Sequence, residues 1–260
     1  MKNKFLYRLV IFLLMVSFSV IAQEQEAFKK EHFIKDADTL NYRILFPKDF
    51  SEEKEYPVVL FLHGAGERGS DNQSQLTHGG ELFLKNQEEF PAIVIFPQAP
   101  KDDYWAKVEV NRDTVPFQFD FMNKKPATKS LQLVIDLMDV MTSKNYVNKE
   151  RIYVGGLSMG GMGTFELIYK KPDMFAAAFA ICGGANPEIT KDYPKGFNIW
   201  LFHGKKDDVV PSKHSEEMAR AINHYGGNAK LSLYQEDNHN SWDSAFAEPD
   251  LLPWLFSNSK

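Results

Sequence analysis

A serine held between two glycines is the residue whose surroundings point most clearly to chemistry. Ser158 stands at the centre of the Gly-x-Ser-x-Gly pattern that runs from Gly156 to Gly160. The apolar run 152–154 before it has the composition of a buried strand, and the run 164–169 after it is typical of a helix. Glycine suits both flanks because a side chain there would clash with the strand or the helix. The pattern predicts Ser158 as a nucleophile; the alternative is a glycine-rich turn with an incidental serine.

A serine hydroxyl becomes a good nucleophile only when a base accepts its proton and a carboxylate holds that base in one tautomer. His239, the last histidine in the chain, follows a predicted strand at 230–234 and is the candidate base; otherwise it is a surface histidine. Asp207 and Asp208 stand side by side after a predicted strand at 199–202. Successive side chains of an extended loop point in opposite directions, so only one of the two carboxylates can face His239.

The composition of the chain excludes several classes of partner and cofactor. The 260 residues are 43% hydrophobic and 25% charged, which is typical of one globular domain. A net charge of −5 without a cluster of basic residues gives no reason to expect a nucleic-acid partner. The single cysteine, Cys182, excludes an intramolecular disulfide, and its small apolar neighbours predict a buried structural thiol. No metal-ligand spacing and no phosphate-binding glycine loop is found, so we expect neither a metal nor a cofactor.

The amino terminus has the pattern of a signal peptide. Three basic residues among the first eight precede an apolar run at 9–21, and small residues at 20–22 lead into a polar stretch. The apolar run is shorter than the roughly 20 residues of a membrane span, and no cysteine marks a lipoprotein anchor. We therefore expect cleavage after Ala22, a mature domain at 23–260 that is periplasmic or secreted, and no stable membrane insertion. An uncleaved anchor is the alternative.

Strands and helices alternate along the chain, which predicts one α/β domain with a mostly parallel central sheet and helices on both faces. The predicted strands are 38–46, 57–62, 92–96, 152–154, 174–181, 199–202 and 230–234, and the predicted helices are 129–143, 164–169, 212–225 and 245–256. The segment 101–128 lacks convincing periodicity and is predicted to be a long functional loop.

Four sequence motifs resemble those of serine esterases in the α/β-hydrolase superfamily. They are the acid-bearing loop at 203–211, the histidine loop at 238–242, the glycine-rich segment at 62–69 and the Pro-Gln-Ala-Pro segment at 97–100. The last two are similar to the extracellular branch that holds feruloyl esterases, acetyl-xylan esterases and polyhydroxybutyrate-depolymerase-like enzymes, often filed as phospholipase/carboxylesterases. The resemblance covers about residues 40–257 and implies an α/β-hydrolase fold without a large lid domain.

The resemblance also implies a role for each site residue. Ser158 would attack an acyl carbonyl, His239 would accept and return the proton, and Asp207 would orient His239, with Glu236 and Asp237 as the next candidates for the acid. The backbone N–H groups of Met159 and Ala65 would form the oxyanion hole. The implied enzyme is a secreted serine esterase that forms an acyl-enzyme and removes acetyl or feruloyl groups from polysaccharide-derived substrates.

Several aromatic and polar residues are candidates for substrate binding. Trp105 and the phenylalanines near Phe117 could form an aromatic shelf for a phenolic acyl group or a sugar ring, or they could pack the long loop onto the domain. Trp242, beside the histidine loop, and Gln98 are the other candidates. The remaining histidines near the motifs, His63, His78 and His203, are expected to be structural.

Other functions remain open from the sequence. A serine peptidase of the prolyl-oligopeptidase type shares this fold and triad order, but the chain has no room for the propeller domain of such enzymes. A catalytically inactive hydrolase fold that binds carbohydrate is the rival from another class, although binding alone would not need all three of Ser158, Asp207 and His239. A lipase is disfavoured because no apolar lid insertion interrupts the fold. The acyl group, the alcohol and the oligomeric state stay undetermined.

Overall fold

A computed structural model describes residues 27–260 of the chain. Its strands are β1 (Lys29–Lys35), β2 (Asp38–Leu45), β3 (Tyr56–Leu62), β4 (Ile93–Gln98), β5 (Val108–Asn111), β6 (Gln118–Phe121), β7 (Val147–Leu157), β8 (Ala177–Ile181), β9 (Asn198–Gly204) and β10 (Asn228–Tyr234). Its α-helices are α1 (Gly80–Asn86), α2 (Lys129–Thr142), α3 (Met159–Lys170), α4 (Lys213–His224), α5 (Trp242–Phe246) and α6 (Leu251–Phe256).

Eight of the strands form one sheet in the order β1-β2-β4-β3-β7-β8-β9-β10. β2 pairs antiparallel with both of its neighbours, and the other pairings of the sheet are parallel. Seven strands therefore run in one direction, which confirms the predicted mostly parallel sheet. The carboxyl ends of β3, β7, β9 and β10 lie at one edge, so the loops that carry the predicted chemistry all emerge on the same side.

The sheet is covered on both faces, as its apolar strands require. In β3, Val58 and Leu60 pack into one core cluster with α2 and α3, whereas Val59 and Phe61 pack into a second cluster with α6. All seven residues of β3 are buried. Successive side chains of a strand point to opposite faces, so a continuously apolar strand fills two core layers at once.

Several elements differ from the sequence prediction. The segment 101–128 is not a plain loop, because β5 and β6 pair as an antiparallel hairpin outside the main sheet. Each of these strands has four residues that alternate between half-buried and exposed, which is too short a pattern to stand out. The edge strand β1 was not predicted from the sequence, because most of its residues are polar and exposed. The predicted helix 245–256 is two short helices, α5 and α6.

Two predictions concern the amino terminus and the membrane. The signal peptide predicted at residues 1–22 lies outside the described residues. Between residues 27 and 260, no helix combines the length and the hydropathy needed to cross a membrane.

The turn between β7 and α3 is packed directly against the end of β3. A Cβ atom on Gly160 would lie 1.9 Å from the carbonyl oxygen of Leu62, and one on Gly156 would lie 2.5 Å from the carbonyl oxygen of Gly160. Both distances are far below any real contact with a backbone atom, so glycine is the only residue that fits either flank of Ser158. The clash predicted from the sequence pattern is confirmed.

This packing predicts that Gly160→Ala strongly destabilises the fold. The added methyl group meets backbone rather than a flexible side chain, and overpacking of this kind costs about 1–3 kcal/mol or more. We expect the midpoint of thermal unfolding to fall by at least about 2 °C. Gly66→Ala is the matched control, because a Cβ atom there would meet nothing within 4 Å. Equal melting temperatures for the two variants would contradict this account of the turn.

Candidate active site

Ser158 occupies the sharp turn between β7 and α3. Its backbone has φ 53° and ψ −115°, a conformation that L-residues rarely adopt, and its N–H donates to the carbonyl of Ile181 at 2.8 Å. This hydrogen bond ties the turn to the end of β8, and the close approach of Gly160 to β3 ties it on the other side. The strained conformation is therefore imposed by the sheet around it, and it directs the hydroxyl toward the loops beyond β9 and β10.

The hydroxyl of Ser158 contacts the imidazole of His239. Ser158 Oγ lies 2.9 Å from His239 Nε2, and His239 Nδ1 lies 2.7 Å from Asp207 Oδ2. His239 sits in the loop after β10, where its own N–H donates to Asn238 Oδ1 at 2.7 Å. Because a carboxylate can only accept, Nδ1 carries the proton toward Asp207, and Nε2 is left to accept the serine proton.

Asp207, rather than Asp208, is the carboxylate that faces His239. Asp207 is buried, and its Oδ1 accepts the N–H groups of Val209 and Val210, both at 2.9 Å. Asp208 is exposed, and its backbone N–H donates to the Asn238 side chain at 3.1 Å. The two neighbouring side chains thus differ in burial and partners, and only the Asp207 carboxylate bonds His239.

A second histidine supports the Asp207 carboxylate from the core side. His203 Nε2 lies 3.2 Å from Asp207 Oδ2 and 2.8 Å from the carbonyl oxygen of Val210, while its Nδ1 lies 2.7 Å from Ser215 Oγ. Burial alone would raise the pKa of Asp207, but the hydrogen bonds from His203 and His239 outweigh it and lower that pKa to about 2. Asp207 is therefore ionised at neutral pH despite its burial, and His203 has the structural place expected of it.

The residues predicted for the oxyanion hole begin two neighbouring helical turns. Met159 is the first residue of α3, and Ala65 is the first residue of a 3-10 turn that follows β3. The first N–H groups of a helical turn have no partner within it, so they can donate a hydrogen bond to a ligand oxygen. A Cβ atom on Gly64 would lie 2.7 Å from Leu157 Cδ1, which shows how closely the two segments approach.

Buried side chains hold the segment 63–67, which we call the oxyanion loop after the role predicted for Ala65, from behind. His63 is 1% exposed; its Nδ1 donates to the carbonyl of Gly64 at 2.6 Å, and its Nε2 accepts the N–H of Ala99 at 3.1 Å. Burial lowers the pKa of His63 to about 4, which keeps the imidazole neutral and suited to this pair of bonds. His63 is therefore a structural residue, as predicted.

A cavity of about 220 Å³ opens above Ser158. Its lining combines the oxyanion loop, the β5–β6 hairpin and the two loops of the triad: Gly64, Ala65, Gly66, Glu67, His78, Tyr104, Val110, Arg112, Phe117, Phe119, Leu157, Ser158, Val209, Val210, His239 and Trp242. The wall is mainly apolar and aromatic, with a few polar groups, as is typical of a site for a small organic ligand.

Of the four substrate-binding candidates, two line the cavity and two do not. Trp242 lines the cavity, with its ring 5.6 Å from that of His239, and Phe117 also lines it. The prediction for Trp105 is corrected: it is 0% exposed, and its Nε1 donates to the carbonyl of His63 at 3.1 Å. Trp105 packs the loop onto the core and does not touch the cavity.

Gln98 is the second correction. It is 2% exposed; its Oε1 accepts the N–H of Asn72, and its Nε2 donates to Asp71 Oδ1, both at 2.8 Å. Its amide is fully used in holding the segment behind the oxyanion loop. His78, expected to be structural, instead lines the cavity, with its Nε2 3.9 Å from Glu67 Oε1.

Glu166 is a structural support of the cavity wall that sequence reasoning missed. It lies on α3 with no exposed surface, and its Oε2 accepts the N–H of Lys107 at 2.9 Å and the side-chain amide of Asn123 at 2.8 Å. Burial raises the pKa of Glu166. Lys107 and Asn123 flank the β5–β6 hairpin, which forms part of the cavity wall. The Glu166 carboxylate therefore holds both ends of this hairpin against α3. The available signal was a lone acid within the apolar run 164–168.

One group of potential metal ligands occurs within residues 27–260, formed by Cys182, Asp207 and His239. Asp207 and His239 already bond each other, and burial raises the pKa of the Cys182 thiol well above its usual value, which disfavours the thiolate that a metal would need. The donor set therefore fits the serine-centred arrangement better than a metal site.

The chain resembles proteins of known kind over most of its length. The phospholipase/carboxylesterase family matches residues 49–248. A thermostable esterase of known crystal structure is 32% identical, with a TM-score of 0.75 over 90% of this chain and 64% of that one. These findings confirm the α/β-hydrolase fold expected from the sequence motifs.

Two proteins whose names combine an esterase with a xylanase also match. A bifunctional acetylxylan esterase/xylanase of Neocallimastix patriciarum is 34% identical over 59% of this chain and 20% of its own length. An endo-1,4-beta-xylanase/feruloyl esterase of Xylanibacter ruminicola is 27% identical over 65% of this chain and 22% of its own length. The chain thus spans about a fifth of each of these relatives. Its fold, the arrangement around Ser158 and the family match lead to one conclusion: the chain belongs to the phospholipase/carboxylesterase family of α/β-hydrolases.

Proposed function

We propose that the protein is a serine carboxylic-ester hydrolase that works through an acyl-enzyme intermediate. The observation that carries this proposal is the continuous chain of contacts from Ser158 Oγ through His239 to Asp207, at 2.9 and 2.7 Å. All three side chains lie at the edge of one cavity or directly behind it. A serine hydroxyl, an imidazole and an ionised carboxylate in this order are the parts that acyl transfer requires.

The reaction begins when His239 Nε2 takes the proton of Ser158 as its Oγ attacks the acyl carbonyl carbon. The carbonyl oxygen becomes an oxyanion, and the imidazolium that forms is stabilised by the Asp207 carboxylate. His239 then gives its proton to the departing alcohol, leaving an ester on Ser158. Water attacks that ester with His239 again as the base, and the acid product leaves.

The N–H groups of Met159 and Ala65 are proposed as the donors to the oxyanion. Each begins a helical turn, so the positive end of that turn also faces the developing charge. Preformed donors of this kind contribute about 3–4 kcal/mol each to transition-state stabilisation. Glu67 follows Ala65 in the same loop and lines the cavity, so the loop supplies both the hole and part of the substrate wall.

We propose acyl groups on polysaccharide-derived alcohols, of the acetyl or feruloyl type, as the substrates. Two relatives whose names include acetylxylan esterase and feruloyl esterase support this class. The aromatic wall formed by Phe117, Phe119 and Trp242 suits a phenolic ring or a sugar face. Export to the periplasm or the medium is part of the proposal and rests on the sequence pattern of residues 1–22; amino-terminal sequencing of the exported protein tests it.

The proposed function predicts hydrolysis of short acyl esters. A cavity of about 220 Å³ accommodates an acetyl or butyryl group more readily than a long chain. Across a panel of nitrophenyl esters we expect kcat/KM to be highest for acetyl to butyryl and to fall for longer chains, with acetylated xylan or methyl ferulate also cleaved. Ser158→Ala is the control and should be inactive. Cleavage of a prolyl amide without ester hydrolysis would instead indicate a peptidase, and no turnover of any substrate would contradict the proposal.

The neighbouring aspartates supply a matched pair of variants. Asp207→Asn removes the charge that holds the His239 tautomer, and we expect a loss of up to about 10⁴ in turnover of a simple acetate ester. Asp208→Asn makes the same chemical change at an exposed side chain, and we expect its turnover to fall less than about tenfold. Circular dichroism spectra verify that both variants are folded. A severe loss in Asp208→Asn with near-normal Asp207→Asn would reverse the assignment.

A further inference from the structure

We infer that the cavity around Ser158 selects esters that carry a carboxylate, and that Arg112 binds this carboxylate. The inference rests on the proposed esterase function and narrows its substrates to an anionic class. Arg112 follows the last residue of β5, at the turn of the β5–β6 hairpin, and it lines the same cavity as Ser158. Tyr104, His78 and His239 line the cavity too, but Arg112 is its single lysine or arginine within residues 27–260.

Two other lining residues hold the guanidinium of Arg112. Its Cζ lies 5.1 Å from the centre of the Phe117 ring, and its charge acts to lower the pKa of the nearby Tyr104 phenol. Tyr104 is itself fixed, because its backbone carbonyl accepts the hydroxyl of Thr128 at 2.6 Å. A guanidinium has five N–H donors, and a cation–π contact leaves them available for hydrogen bonds. The group is thus preorganised at the cavity and keeps donors for a ligand.

Three of the other four arginines in residues 27–260, Arg43, Arg68 and Arg151, have a different role. Arg68 donates to the carbonyls of Ala65 and Lys101 at 3.0 and 2.9 Å, and Arg151 donates to the carbonyl of Phe256 at 2.6 Å. These side chains brace the backbone. Within residues 27–260, Arg112 has no such carbonyl bond and no carboxylate at ion-pair distance. Its guanidinium therefore packs against the cavity wall without bracing the backbone, a position that suits a ligand.

The cavity also contains one acid, and its position limits where an anion can bind. Glu67 belongs to the oxyanion loop, and its carboxylate lies 3.9 Å from His78 Nε2. A substrate anion would be repelled near Glu67 and attracted to the hairpin. The planar fork of arginine matches a carboxylate with two parallel N–H···O bonds. The adjoining Phe117 and Phe119 suit the organic frame that carries this carboxylate.

The test compares neutral and anionic members of two ester pairs. Phenyl acetate with 4-acetoxybenzoate places the carboxylate on the alcohol part, and 4-nitrophenyl butyrate with 4-nitrophenyl hydrogen glutarate places it on the acyl part. For at least one pair, Arg112→Gln should lower the anionic-to-neutral ratio of kcat/KM about tenfold, and the affected pair identifies the subsite. The ratio for Arg112→Lys should lie between those of wild type and Arg112→Gln, because lysine keeps the charge but lacks the planar fork of N–H donors.

Arg220→Gln is the matched control, because Arg220 is exposed on α4 and lines a different surface. Its ratios should stay within about twofold of wild type. Unchanged ratios in Arg112→Gln, or an equal fall in Arg220→Gln, would overturn the inference. If wild type cleaves no neutral ester, the proposed function itself fails. Calorimetric binding of glutarate and 4-hydroxybenzoate then decides: weaker binding to Arg112→Gln supports the anion site, and equal or absent binding overturns it.

Discussion

The buried carboxylate of Asp207 is the interaction on which the arrangement at this site depends. Its Oδ1 accepts two backbone N–H groups of its own loop, and its Oδ2 lies 2.7 Å from His239 and 3.2 Å from His203. A buried charge is costly unless it is paired and hydrogen-bonded, and here four donors surround it. The carboxylate therefore fixes the shape of the loop after β9 and the orientation of the imidazole at once.

Ser158, the proposed nucleophile, is positioned by backbone packing rather than by side chains. Glycines on both sides of Ser158 allow the turn to press against the end of β3, and the N–H of Ser158 reaches β8. The same packing sets Met159 beside the oxyanion loop. The cavity wall has an independent support, because Glu166 on α3 holds the ends of the β5–β6 hairpin. Ser158 and the cavity wall are thus both held in place by α3.

The sequence could predict the parts that depend on local pattern and chain order. A glycine-flanked serine after an apolar strand, followed by an acid loop and a histidine loop, is enough to expect Ser158, Asp207 and His239 at one edge of a parallel sheet. The structure brings these three together. For the two adjacent aspartates, the alternation of side chains along an extended chain led us to expect that only one faces His239. The resemblance to esterases then favoured Asp207.

The remaining features depend on how distant segments fold against one another. Trp105 looked like a binding residue because it is aromatic and stands in a long loop, yet the loop folds back and buries it against His63. Arg112 carries no local signal, and Glu166 carries only that of a lone acid in an apolar run. Their places depend on the β5–β6 hairpin, whose four-residue strands are too short to recognise. Gln98 likewise has its partners 26 and 27 residues away.

The central claim is that Ser158 is an activated nucleophile, and reaction with a fluorophosphonate tests it most directly. The account predicts that wild-type protein gains the mass of one phosphonyl group, that peptide mapping places it on Ser158, and that His239→Ala reacts far more slowly while remaining folded. Absence of labelling, labelling of another residue, or equal labelling rates in wild type and His239→Ala would contradict the account.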